Sequence, residues 1–130
     1  MSKKKILIVE DDKDLVIALS KRLRANSYDT IYALDAVSAI QMAHRDKPDL
    51  IILDIGLPRG DGFSVKRKLD SSVHLSDIPI VMMTAQDDST VFKRSFRAGV
   101  AAFFQKPIDD EQLLSIVKTV LGDSSPLEGK

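Results

Sequence analysis

Ile6-Leu7-Ile8-Val9-Glu10-Asp11-Asp12 sets the pattern for the whole chain: four consecutive apolar residues followed at once by three carboxylates. A short, continuously apolar run is the pattern of a strand covered on both faces, as in a parallel sheet. Four further runs repeat it, over residues 30–34, 50–53, 80–83 and 101–104. Between them the apolar residues take helical spacing: Leu15, Leu19 and Leu23; Val37, Ile40 and Ala43; and Leu113, Leu114, Val117, Val120 and Leu121. Strand and helix thus alternate five times. Parallel strands need crossover connections, so the alternation predicts an α/β domain with a doubly wound sheet and helices on both faces. Asp12 and Asp35 stand where helix N-caps belong, Pro48 precedes the third strand, Pro79 opens the fourth and Gly99 follows the fourth helix.

Composition narrows the function classes. The 130 residues make one domain of ordinary size, and 19 basic residues balance 19 acidic ones. A neutral chain has no global field drawing it to nucleic acid or an anionic membrane. With no cysteine, disulfides, thiolate zinc sites and thiol catalysis are excluded. The basic start, Met1 to Lys5, leads into an apolar run too short for a signal peptide, and no stretch reaches the roughly 20 residues of a membrane span. The expectation is a soluble, cytoplasmic protein. Gly122-Asp123-Ser124-Ser125-Pro126 is polar and turn-rich, which divides the chain into a domain over 1–121 and a tail or truncated linker over 122–130.

The residues that end the apolar runs carry the chemistry. In open α/β sheets the binding crevice lies beyond the carboxyl ends of the strands. Here those ends are Glu10-Asp11-Asp12, Asp54, Thr84 and Lys106. Carboxylates brought together resist joint ionisation and call for a cation, and oxygen donors favour a hard one such as Mg²⁺. A carboxylate beside such a metal can act as nucleophile towards a phosphoryl group, with Lys106 and Thr84 holding its oxygens.

With its five motifs in order, Ile6 to Asp12, Asp54-Ile55-Gly56-Leu57-Pro58, Gly60-Asp61-Gly62, Thr84-Ala85 and Lys106-Pro107, the chain resembles the receiver domains of two-component response regulators over roughly residues 4–121. The resemblance implies a flavodoxin-like three-layer sandwich with strand order 2-1-3-4-5. It implies that Asp54 is the phosphoacceptor and that Glu10, Asp11, Asp54 and the backbone carbonyl of Gly56 hold Mg²⁺. Thr84 and Phe103 are the switch pair, Lys106 pairs with the phosphate, and the Lys106-Pro107 bond is cis. The implied function is a phosphorylation-controlled signalling switch that catalyses only its own phosphorylation and dephosphorylation. Its donor would be a sensor histidine kinase or a phosphotransfer protein. Its output would be a downstream protein or a self-dimer formed through the face of Phe92, Phe96 and Phe103, flanked by Arg94, Arg97 and Lys118.

This sequence departs from the family's usual pattern at Glu10, whose longer arm would reach the metal through water, at Gly56, which is smaller than usual, and at Arg59, an added charge in the loop. Both loop changes should alter water access to an acyl phosphate. Asp12 matches no ligand position and is read as a cap. Helical periodicity alone turns Phe92 and Phe96 inward, against the resemblance. Lys66-Arg67-Lys68 reads as a solvated face, Met82 and Met83 as core, and His44 and His74 as isolated. A phosphatase with an aspartyl nucleophile is the alternative enzyme reading, but it needs an acid two residues after Asp54, where Gly56 stands, and a cap-sized insertion that is missing. A phosphate-independent interaction domain is the other alternative, and it would have no use for the complete site.

Overall fold

The computed structural model describes residues 3–57, 61–85 and 89–123; Pro58, Arg59, Gly60 and the tail from Ser124 lie outside them. Five strands, β1 (Lys5–Val9), β2 (Asp29–Ala33), β3 (Leu50–Asp54), β4 (Ile80–Thr84) and β5 (Ala102–Gln105), alternate with α1 (Lys13–Ala25), α2 (Ala36–Asp46), α3 (Gly62–Asp70), α4 (Ser89–Arg97) and α5 (Asp110–Leu121). All neighbours pair in parallel, in the order β2-β1-β3-β4-β5, as expected. No described helix is long and apolar enough to cross a membrane.

Successive strand residues point to opposite faces, so each strand feeds two cores. Leu7, Val9, Ile51, Leu53, Ile80 and Met82 pack with side chains of α2 and α3. Ile6, Ile8, Leu50, Ile52, Val81, Met83 and Phe104 pack with Val16, Leu19 and Leu23 of α1 and Leu113 and Val117 of α5. Burying each such Leu or Ile contributes about 1.5–3 kcal/mol, which explains why the apolar runs are unbroken. Just after α5, the Asp123 carboxylate accepts from Lys4 Nζ at 3.0 Å and from the Tyr28 hydroxyl at 3.2 Å. Burial and that carboxylate push the Tyr28 phenol up to about 12.

The helices extend some readings and change others in three dimensions. On α1 Leu15 packs partly buried against the core in line with Leu19 and Leu23, and Val16 joins them as a buried residue. The inward stripe of α2 is Ala36, Ala39 and Ala43, whose small side chains let the helix approach the sheet, while Val37 turns outward. Inward-facing residues of α4 are also small: Ser95 is buried, donates to the Val91 carbonyl at 3.0 Å and lies 3.8 Å from Met82 Sδ, and Ala98 packs on the core. Phe92 and Phe96 consequently stand 55% and 80% exposed, so the inward placement from periodicity is overturned. In α3, Lys66 is not solvated: its stem is buried and its ammonium meets both oxygens of Asp70 at 2.7 Å, one turn along. Arg67 and Lys68 do face solvent.

Asp12, Asp35, Asp61 and Asp109 each cap a helix through a side-chain oxygen. Asp61 accepts from both the backbone N–H and the hydroxyl of Ser64, at 2.9 and 3.1 Å. Burial alone would raise its pKa, but these bonds, with Arg94 and Arg67 nearby, hold it below the usual carboxylate range. A depressed carboxylate stabilises the fold above its unfolded pKa, and this is lost as pH falls through the lower folded value. Asp61→Ala is therefore expected to cost about 1 kcal/mol at neutral pH and to flatten the acid limb of the stability curve. Urea melts from pH 7 down to pH 2 check this, and an unchanged acid slope would contradict it.

Candidate functional site

Because the sheet is parallel, β1, β3, β4 and β5 all end at one edge, and their terminal residues meet there. Glu10 follows β1 and is 1% exposed; Asp54 ends β3 and Thr84 ends β4, at 5% and 3%. Lys106 follows β5, its backbone N–H bonded to the Thr84 carbonyl at 2.7 Å, and the Lys106-Pro107 bond is cis, as expected. One carboxylate oxygen each from Glu10, Asp11 and Asp54 lies within 4.8 Å of the others, with Asp11 the exposed member.

The electrostatics follow from burying like charges together. Lys106 Nζ bonds Glu10 Oε1 at 2.5 Å and lies 3.4 Å from Asp54 Oδ1, so among the described residues its ammonium meets two of the three clustered carboxylates. Burial opposes the charged form of Lys106, yet Glu10 and Asp54 outweigh it and hold the ammonium above its ordinary value. Burial also pushes the Glu10 carboxyl up, and the Asp54 charge adds to this, against the opposing bonds from Lys106 and the Asp12 backbone. The Asp12 N–H reaches Glu10 Oε2 at 3.0 Å, so both Glu10 oxygens are engaged, while the Asp12 side chain only caps α1. The residual negative charge and the all-oxygen donor set fit a hard divalent cation.

Two supporting features escaped the sequence. The Gly56 N–H lies 3.4 Å from Asp54 Oδ1, and among the described residues a Cβ on Gly56 would meet nothing within 4 Å. Gly62 is the opposite case. A Cβ there would lie 2.7 Å from the Asp54 carbonyl oxygen and 3.0 Å from Ile55 Cα, and its N–H bonds the Ile55 carbonyl at 2.9 Å. The start of α3 thus rests directly on the backbone that carries Asp54. The glycine of the loop motif was visible, but the close approach behind it was not.

Phe103, on β5, is half-buried, and its ring meets Phe92 edge-to-face with centroids 5.6 Å apart. The two rings, with Phe96, Val100 and Ala101, line a shallow apolar hollow beside α4. His44 and His74 are exposed and distant in sequence from the acidic edge, and no histidine joins the carboxylate group among the described residues.

Similarity to known proteins agrees with this geometry. The response regulator receiver domain family matches residues 6–118. The chain is 38% identical over 116 residues to the response regulator PleD of Caulobacter vibrioides, and 35% identical over 122 residues to the response regulator MprA of Mycobacterium leprae. It spans 89% and 94% of its own length in these alignments but only 26% of PleD and 53% of MprA. Among solved structures, the non-phosphorylated HemR receiver domain of Leptospira biflexa superposes with a TM-score of 0.84 at 31% identity, covering 95% of this chain and 98% of that one. Sequence, sheet order and family match together establish that the chain belongs to the response regulator receiver domain family, a family of signalling modules.

Proposed function

We propose that the chain is a phosphorylation-controlled switch in which Asp54 accepts a phosphoryl group from a sensor histidine kinase or phosphotransfer protein, in a Mg²⁺-dependent reaction that alters a partner-binding face. The observation that carries this reading is the meeting of Asp54 with two further carboxylates and Lys106 at the carboxyl edge of the sheet. An Asp54 carboxylate oxygen forms the bond to phosphorus as the bond to the donor histidine nitrogen breaks. Lys106 pairs with the phosphoryl oxygens, and Thr84, at the end of the neighbouring strand, turns its hydroxyl to them. Glu10, Asp11, Asp54 and the Gly56 carbonyl are the residues that would hold Mg²⁺. When bound, the ion supplies positive charge that offsets repulsion between nucleophile and phosphoryl donor. Hydrolysis of the acyl phosphate resets the domain, so the chain is a switch over residues 1–121 and not an enzyme with a turnover substrate. A phosphatase reading lacks its second acid, since Gly56 stands two residues after Asp54.

Mg²⁺ is expected to stabilise the protein by mass action, by about 2.7 kcal/mol when present at 100 times its Kd. Thermal melts with and without the ion measure this. Equal stabilisation of Asp11→Ala would remove Asp11 from the site.

The output face is Phe92, Phe96 and Phe103, open to a downstream protein or a second copy. Phosphate can shift that face only if the two arrangements differ in their interactions with it, and the contact of Phe103 with Phe92 supplies a link from β5 to α4. Adding a beryllofluoride mimic should change amide exchange across residues 91–104 several-fold, with a smaller change in Thr84→Ala. An identical exchange pattern with and without the mimic in the parent protein would defeat the switch reading.

A further inference from the structure

A second concavity lies between α3 and α4, with a volume of about 300 Å³; its walls are largely apolar, formed by Phe63, Ala98 and the stems of long side chains, and none of the residues of the Asp54 site lines it. Four cationic side chains, Lys66, Arg67, Arg94 and Arg97, border it with one carboxylate, Asp70. The whole chain is neutral, so this is a local concentration of positive charge. Asp70 is engaged by Lys66 at 2.7 Å, which leaves the guanidinium groups as the groups on offer. Among the described residues, Arg67, Arg94 and Arg97 form no ion pair within 4.0 Å.

The cleft is also partly preorganised. The Arg94 guanidinium stacks 4.0 Å above the buried Phe63 ring, which restricts its position without using its hydrogen-bond donors. Lys66, which also lines the cleft, is buried and held by Asp70. The field is felt nearby: Arg94 and Arg67 both help hold the Asp61 carboxyl below its usual range.

We propose that the α3–α4 cleft is a binding site for a small phosphate-bearing anion, held by Arg67, Arg94 and Arg97. Guanidinium forks match phosphate oxygens in pairs and remain charged at any physiological pH. A concavity at the small end of ligand sites suits a compact diphosphate or nucleotide better than a long acidic peptide. The ligand would bridge α3 and α4, which already meet through Arg94 and Phe63.

Inorganic pyrophosphate and ADP, titrated in EDTA against isotope-labelled protein, test this by amide chemical shifts. Saturable shifts at residues 66–70 and 94–98 are expected. Arg67→Glu and Arg97→Glu, both at exposed positions, should each weaken binding at least 10-fold with the melting temperature kept, as expected for loss of a charge-assisted contact. Tighter binding of ADP than of pyrophosphate would assign a nucleotide, and the reverse a free diphosphate; either supports the site. Shifts confined to the surroundings of Asp54, Thr84 and Lys106, equal affinity in both charge reversals, or tighter binding of a glutamate-rich peptide at the same residues would overturn the proposal. The Asp54 assignment is independent of all these outcomes.

Discussion

Gly62→Ala is expected to destabilise the protein by about 2 kcal/mol, in the range of overpacking substitutions, and to lower the melting temperature by roughly 8 °C. The new Cβ would sit 2.7 Å from the Asp54 carbonyl oxygen and 3.0 Å from Ile55 Cα. Both are backbone atoms, so no side chain can rotate away to relieve the contact. Either α3 lifts from the sheet edge or the end of β3 shifts, and the second moves Asp54. Gly56→Ala is the control, because among the described residues nothing lies within 4 Å of its added Cβ; it should melt within about 1 kcal/mol of the parent, the scale of a Gly-to-Ala backbone effect. Denaturant unfolding of the two variants side by side decides the matter. If Gly56→Ala proved the more damaging, the close approach of α3 to Asp54 would not be what Gly62 serves.

Most of the architecture was legible because it rests on one-dimensional signals. Ile6 to Val9 and Leu50 to Leu53 are buried on both faces, and only unbroken apolar runs can fill such strands. Asp12 and Asp35 announced the starts of α1 and α2 by chemistry that needs no tertiary contact. The acidic group was legible for a related reason: a parallel sheet gathers its strand ends, so Glu10, Asp11, Asp54 and Lys106 had to meet once the strands were known.

What stayed hidden depends on orientation or on contacts between distant segments. Periodicity finds a stripe on α4 but not which stripe the sheet selects, and the sheet took Ser95 and Ala98 in place of Phe92 and Phe96. Lys66 looked like a surface charge because its partner Asp70 is one of many acids, and only the packing of its stem shows it buried. Arg67 and Arg94 belong to different helices on either side of β4 in sequence, so the stacking of Arg94 on Phe63 and the action of both on Asp61 have no sequence signature.

The second large effect is Asp54→Asn, which should abolish phosphoryl labelling while leaving the fold intact. Of the three clustered carboxylates, Asp54 alone ends a central strand, lies between the strands that carry Glu10 and Thr84, and stands 3.4 Å from Lys106 without being locked in its shortest bond. Glu10 has one oxygen on Lys106 and the other on the Asp12 N–H, and Asp11 is exposed at the rim. In-line transfer needs a carboxylate near both the cation and the phosphoryl group, and Asn keeps the shape while removing the anionic nucleophile. The direct measurement is the intact mass of the protein after incubation with acetyl phosphate and Mg²⁺, for the parent and for Asp54→Asn. The parent should gain one phosphoryl mass, dependent on the metal and labile to hydroxylamine, and the variant none. Undiminished label in Asp54→Asn, or turnover of many equivalents of acetyl phosphate without a stable adduct, would contradict the account.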